Sequence, residues 1–105
     1  MNYITIIGNV AEPELRYTIS GKALLKFGLA TSRGKDDDKV TTWHNVQVWG
    51  EMAENAAAVI TKGSRVIVVG KIEVNTYQDK TGANRKDVLV VADDVAVSLR
   101  WKTAE

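Results

Sequence analysis

The 105-residue chain has no cysteine, one proline and one histidine. Without cysteine there are no disulfides, no thiolate chemistry and no cysteine-based zinc sites. A lone histidine with no cysteine or carboxylate partner at ligand spacing makes neither an acid–base dyad nor a metal site. Neither sign of charge dominates: 14 Lys and Arg stand against 13 Asp and Glu, a formal net charge of +1. A binder of duplex nucleic acid by charge alone carries a strong basic excess. Affinity for a polyanion would therefore rest on where the charges sit and on uncharged contacts. No apolar run approaches the ~20 residues that span a bilayer. The start, Met1-Asn2-Tyr3-Ile4, has no basic segment leading into an apolar one. The expectation is a soluble cytoplasmic protein with no membrane partner.

At this length, and with 45% hydrophobic residues, the chain reads as one folded domain over residues 1–105. Its organising stretch is Trp43-His44-Asn45-Val46-Gln47-Val48-Trp49, closed by Gly50. Strand periodicity puts Trp43, Asn45, Gln47 and Trp49 on one face and His44, Val46 and Val48 on the other. The valines belong inside, so both indoles fall on the side of the amides. Six residues of strand separate the rings by roughly 20 Å. That spacing suits an extended ligand with successive flat groups, such as single-stranded nucleic acid, where base–aromatic stacking is worth ~1–3 kcal/mol per base. Tryptophan in a strand is also a common core residue. Alternation alone leaves both readings open.

Taken in order, residues 2–9 predict a first strand, apolar on both faces and so either buried twice or covered by a partner chain. Residues 10–21, with Pro13 and Ser20-Gly21, read as a loop with a short extended piece at Leu15–Thr18. Residues 22–32 alternate as a second strand. Residues 33–39 form a polar loop, in which Asp36-Asp37-Asp38 fits no calcium-loop spacing and reads as a solvated turn. The third strand is 40–49. Residues 51–62 predict a helix with Glu51 and Glu54 in the first turn, Lys62 in the last and Gly63 as its stop. Residues 65–76 and 85–92 predict two strands joined at Gln78–Asn84. Their polar outer halves project as an arm, with Lys71, Glu73, Asn75 and Tyr77 on one face. Residues 95–101 are a candidate further strand. Three strands, one helix, then two strands is the order of an OB fold: an all-β, five-stranded Greek-key barrel with one helix between strands 3 and 4.

Several segments match a known family in sequence order: Gly8-Asn9, Pro13-Glu14-Leu15-Arg16-Tyr17, Ser20-Gly21, Trp43-His44-Asn45-Val46, Trp49-Gly50, Ala53-Glu54 and Lys62-Gly63-Ser64. Across essentially its whole length the chain resembles the bacterial single-stranded-DNA-binding protein family, and its ending Asp94–Trp101 looks most like the actinobacterial branch. Stacking of bases on aromatics is that family's own chemistry, so the magnitude above belongs to the family. The resemblance implies non-enzymatic, sequence-independent binding of single-stranded DNA, with RNA held more weakly, in replication, recombination and repair at the nucleoid. No cofactor or metal is implied. It places Trp43, Trp49 and Tyr77 at stacking positions and Lys62 and Arg85 near the DNA path. The wider reading adds Asn45 and Gln47 as polar contacts, and Arg16, Lys26, Arg33, Lys35, Lys71, Lys80 and Lys86 as phosphate contacts. It also implies pairing of first strands into dimers and of dimers into a homotetramer, with Asn2, Tyr3, Ile4, Thr5, Ile6 and His44 as interface candidates.

The chain departs from the family in four places. Thr31-Ser32-Arg33-Gly34 stands where the family often has a tryptophan, and Arg33 is a candidate substitute. Lysines common on the arm and after Trp49-Gly50 are replaced by Glu73, Asn75, Thr76 and Glu51. Fewer phosphate contacts predict a flatter salt dependence, at about −0.7 per contact in the log–log slope. The ending Lys102-Thr103-Ala104-Glu105 lacks the family's acidic tail tip, so recruitment of repair proteins is not expected of these residues. The alternative is an OB-fold interaction module of a replication or restart complex with weak nucleic-acid binding. An enzyme acting through Asp36–Asp38 or Asp93-Asp94 would lack a Gly-rich phosphate loop and a histidine dyad.

Overall fold

The structure, a computed structural model, describes residues 2–34 and 39–100. Five strands and one helix follow in the order β1 (Ile4–Tyr17), β2 (Ala23–Arg33), β3 (Val40–Trp49), α1 (Glu51–Ala57), β4 (Arg65–Gln78) and β5 (Asn84–Val97). The strands close into a barrel in the order β1-β2-β3-β5-β4. All neighbours are antiparallel except β3 and β5, which close the barrel in parallel at Asn45–Leu89, Val46–Val90 and Gln47–Val91. This is the five-stranded OB barrel, with its helix between β3 and β4.

Alternation builds the core. Ala23, Leu25, Phe27 and Leu29 of β2 point inward, and they meet Val46 and Val48 of β3, Val66 and Val68 of β4, Val90 of β5, and Ile6 and Val10 of β1. Ala53 of α1 and Ile60 in the connection after it join this cluster. Among the described residues no polar side chain is buried in the core. The barrel is thus held by apolar burial and its hydrogen-bond ladder.

Three elements differ from the sequence expectation. β1 runs unbroken through the stretch expected to be a loop. Its first half pairs with β4 and its second half with β2, and a bulge between Ala11 and Glu14 turns the corner. Pro13 sits in that bulge, one of the few sheet positions that need no ladder N–H. Glu12 beside it takes a left-handed conformation, φ 49°.

The helix stops at Ala57 rather than running to Lys62. The Gly63 N–H donates to the Val10 carbonyl (2.7 Å), and the Val10 N–H donates to the Ser64 carbonyl (2.8 Å). These two bonds tie the connection to β1, so the chain must leave the helix early. Val59 is left exposed while Ile60 alone turns into the core.

Finally, residues 95–97 are the end of β5, not a separate strand. Val69 pairs with Asp94 and Gly70 with Ala92, so one β5 residue bulges out. That extra residue absorbs the adjacent aspartates Asp93 and Asp94 and restores the inward phase. Gly70 is obligatory there, because a Cβ would lie 2.2 Å from the Val91 carbonyl oxygen. Beyond Gly70, β4 and β5 continue paired out to Gln78–Asn84 as the projecting arm.

Candidate nucleic-acid interface

β3 presents the expected two sides. Val46 and Val48 lie in the core, whereas Trp43 is 62% exposed and Asn45 is exposed beside it. Gln47 and Trp49 are half-buried. The outward face extends across neighbouring strands in register. Glu14, Lys26 and Gln47 form one row, Arg16, Leu24 and Trp49 a second, and Gly28, Asn45 and Leu89 a third. The Trp43 indole lies over β2 at Gly28, where a Cβ would sit in ordinary van der Waals contact with the ring, 3.5–3.7 Å away. The ring is supported from below and open above. In front of it lies a groove of about 530 Å³ lined by Trp43, Asn45, Gln47, Lys26, Glu12 and Asp87, among others.

Trp49 is placed differently. The Lys22 ammonium stands over its ring, 5.1 Å from the centroid. Tyr77 lies on the arm, 48% exposed, with Arg85 as its register partner. Arg85, Asp87 and Leu89 alternate onto one face of β5, and Leu89 pairs with Asn45. Tyr77 therefore belongs to the same outward surface as Trp43, carried there by the parallel β3–β5 contact.

The arm tip is built on Asp79. One carboxylate oxygen accepts from the Thr81 hydroxyl (2.6 Å) and from the N–H groups of Thr81 (2.9 Å) and Ala83 (3.1 Å). The other accepts from Arg85 Nε–H at 2.8 Å. The Thr81 hydroxyl, then Arg85, hold the Asp79 pKa down to about 2 from 3.8. The contact also orients Arg85 beside Tyr77.

The candidate cations scatter. Lys26 and Arg16 lie on the β2–β3 face, Arg16 in an ion pair with Glu14. Lys71 pairs with Val91, which pairs in turn with Gln47, while its ammonium stands 5.9 Å from the Tyr3 ring. Arg33 pairs with Val40, and alternation sets it on the side of Thr31 and His44, the reverse of Trp43. Lys86, opposite Thr76, is likewise on the reverse face of the arm. Lys80 sits at the exposed tip and Lys62 on the connection tied to Val10. Lys35 and the Asp36–Asp38 run lie outside the described residues, as does Trp101. Sequence reasoning missed Lys22, the supporting Gly28, and the carboxylates Glu12 and Asp87 in the groove. Only the strand register, which no local pattern reports, brings those four to Trp43 and Trp49.

The interface candidates divide as well. Tyr3, Thr5 and Ile7 face outward on β1 beside Val69 of β4. Ile6 points into the core and Ile4 packs against it. The Asn2 amide is used within the chain: its Nδ2 donates to the Ile72 carbonyl (2.8 Å) and its Oδ1 accepts from the Ile72 N–H (2.9 Å). His44 Nε2 lies 3.2 Å from the Thr31 hydroxyl. In the barrel order β3 borders neither β1 nor β4, so the Tyr3–Ile7–Val69 patch and the Trp43 face look in different directions. Among the described residues no cluster of His, Cys, Asp or Glu forms a metal-holding group, and no helix is long and apolar enough to cross a membrane.

Residues 1–98 match the Single-strand binding protein family. The chain is 39% identical to the single-stranded DNA-binding protein of Paenarthrobacter nicotinovorans, over 96% of this chain and 64% of that protein. It is 37% identical to that of Mycolicibacterium smegmatis, covering 97% and 67% of the two chains. With that of Corynebacterium glutamicum the identity is 37%, covering 97% and 49%. The chain thus spans about two-thirds or less of the length of these relatives. It belongs to the single-strand binding protein family.

Proposed function

We propose that this member of the single-strand binding protein family holds single-stranded DNA without regard to base sequence and shields it during replication, recombination and repair. The observation that carries the reading is Trp43: an indole laid over Gly28, open above, on an outward face that includes Asn45, Gln47, Trp49 and, through β5, Tyr77. Successive bases stack on these rings. The amides between them offer hydrogen bonds that no single base monopolises. Lys26, Arg16 and Arg85 meet phosphates along the same surface, and the role is binding without turnover.

The outward patch of Tyr3, Ile7 and Val69 supports association of β1 edges into a dimer, and of dimers into a tetramer, on a side of the barrel that leaves the stacking face free. A cytoplasmic, nucleoid-associated location goes with this role. The carboxylates Glu12 and Asp87 in the groove favour a second reading, a protein-interaction module with weak nucleic-acid affinity.

The test is titration of intrinsic tryptophan fluorescence with oligo(dT), an RNA of equal length and duplex DNA. Saturable quenching by oligo(dT), less by RNA and little by duplex supports the reading. Stable oligomers with no quenching by single strands would refute it in favour of the interaction module.

A further inference from the structure

The two indoles of β3 differ in what already occupies them. Trp43 has an open ring. Trp49 has a cation over it, the Lys22 ammonium at 5.1 Å from the ring centroid. Lys22 is held in the β1–β2 turn by its backbone. Its N–H donates to the Thr18 hydroxyl (3.0 Å), its carbonyl accepts from the Thr18 N–H (2.8 Å), and the Gly21 N–H donates to the Thr18 carbonyl (2.8 Å). The Thr18 and Ser20 hydroxyls are 3.0 Å apart. The main chain is therefore anchored and only the flexible four-carbon stem is free to move. A cation is attracted to the face of an indole by the same π surface that attracts a base. A base and the ammonium then compete for that face. A base also brings its own phosphate, an anion within reach of a displaced lysine.

We propose that Lys22 is a positioning and phosphate-binding residue that works through Trp49. In the free protein its ammonium covers the indole and keeps the ring oriented. When a base takes the ring, the ammonium moves to that nucleotide's phosphate. The inference rests on the single-strand reading above and adds a division of labour to it. Trp49 couples stacking to one phosphate contact. Trp43, in a groove that holds Lys26 but also Glu12 and Asp87, stacks with less salt dependence.

The test uses Lys22→Met and Lys22→Arg, each also in a Trp49→Ala background, with affinity for oligo(dT) measured from low to high salt. Lys22→Met should make the log–log salt slope shallower by about 0.7. Its deficit against the unaltered chain then shrinks about fivefold for each tenfold rise in salt. Lys22→Arg should restore the slope. In the Trp49→Ala background, or in Trp49→Leu if alanine unfolds the strand, the Lys22→Met effect on the slope should vanish. A lysine that merely stabilised the turn would lower the melting temperature and leave the slope unchanged, which would overturn the proposal. An equal slope change with and without Trp49 would also overturn it, since Lys22 would then be an independent contact. Absence of any saturable response in the unaltered chain is a different result: there the single-strand reading fails and this inference falls with it.

Discussion

Replacing Trp43 by alanine removes the proposed stacking platform and some packing, and the two losses are comparable in size. The ring is 62% exposed. Roughly 100 Å² of the ~250 Å² of a fully buried tryptophan therefore lies against the barrel. At 25 cal/mol per Å² that packing is worth at most about 2.5 kcal/mol. No internal cavity forms, because the ring lies on the surface over Gly28. Loss of one stacked base costs ~1–3 kcal/mol of binding, about a 5- to 150-fold weaker complex. Trp43→Phe separates the two terms. It keeps a π face while giving up part of the packing, so it should recover much of the affinity without recovering all of the stability. The assay is fluorescence-anisotropy titration of a labelled oligo(dT), at a temperature where circular dichroism shows each variant folded. Unchanged affinity in folded Trp43→Ala would refute the stacking role. So would Trp43→Phe binding as weakly as Trp43→Ala. Outright unfolding of Trp43→Ala would show that the ring is core.

Three further outcomes are expected. Affinity for oligo(dT) should fall with salt at a log–log slope between about −1.4 and −2.8, the range for two to four phosphate contacts at −0.7 each; a slope steeper than −4 would mean that the scattered lysines converge on DNA after all. Asp79 has a folded pKa of about 2, below its ordinary 3.8, so its carboxylate stabilises the arm tip above pH 4 and loses that effect as pH falls through 2. The Thr81 and Ala83 amide resonances should titrate in that window, and Asp79→Asn should abolish the titration; midpoints near 4 would show that the tip hydrogen bonds do not form in solution. Ile7, 45% exposed and paired with Ile67, should break the proposed dimer when changed to glutamate while leaving the barrel folded. Sedimentation would show a smaller particle, and an unchanged mass would place the interface elsewhere.

The errors in the sequence reading share one physical origin. Pro13 and the pair Asp93-Asp94 look like strand breakers, because local pattern assumes one residue per ladder step. A bulge violates that assumption. Both sites are bulges, and both mark where a long strand changes partner or phase in a closed barrel. The sequence predicts too long a helix for a related reason. Its 3.6-residue periodicity does run on to Ile60, but the Val10 backbone claims Gly63 and Ser64. A bond to a residue more than fifty positions away leaves no local trace.

The sequence by itself determined the strands of the barrel, the single helix between the third and fourth, the inward valines of β3 and the outward Trp43. These follow from side-chain alternation and turn chemistry, which are local. Family motifs along the whole chain supplied the ligand class. Only the tertiary structure decided which cations share the outward face of Trp43. Register places Lys26 and Arg16 there, sets Lys71 in the row of Val91 and Gln47 with its ammonium toward Tyr3, and turns Arg33 and Lys86 away; Lys22 comes over Trp49. Charge at one position carries no information about its neighbours across a sheet. That neighbourhood is set by strand pairing and by where the bulges fall, and it exists only once the barrel has closed.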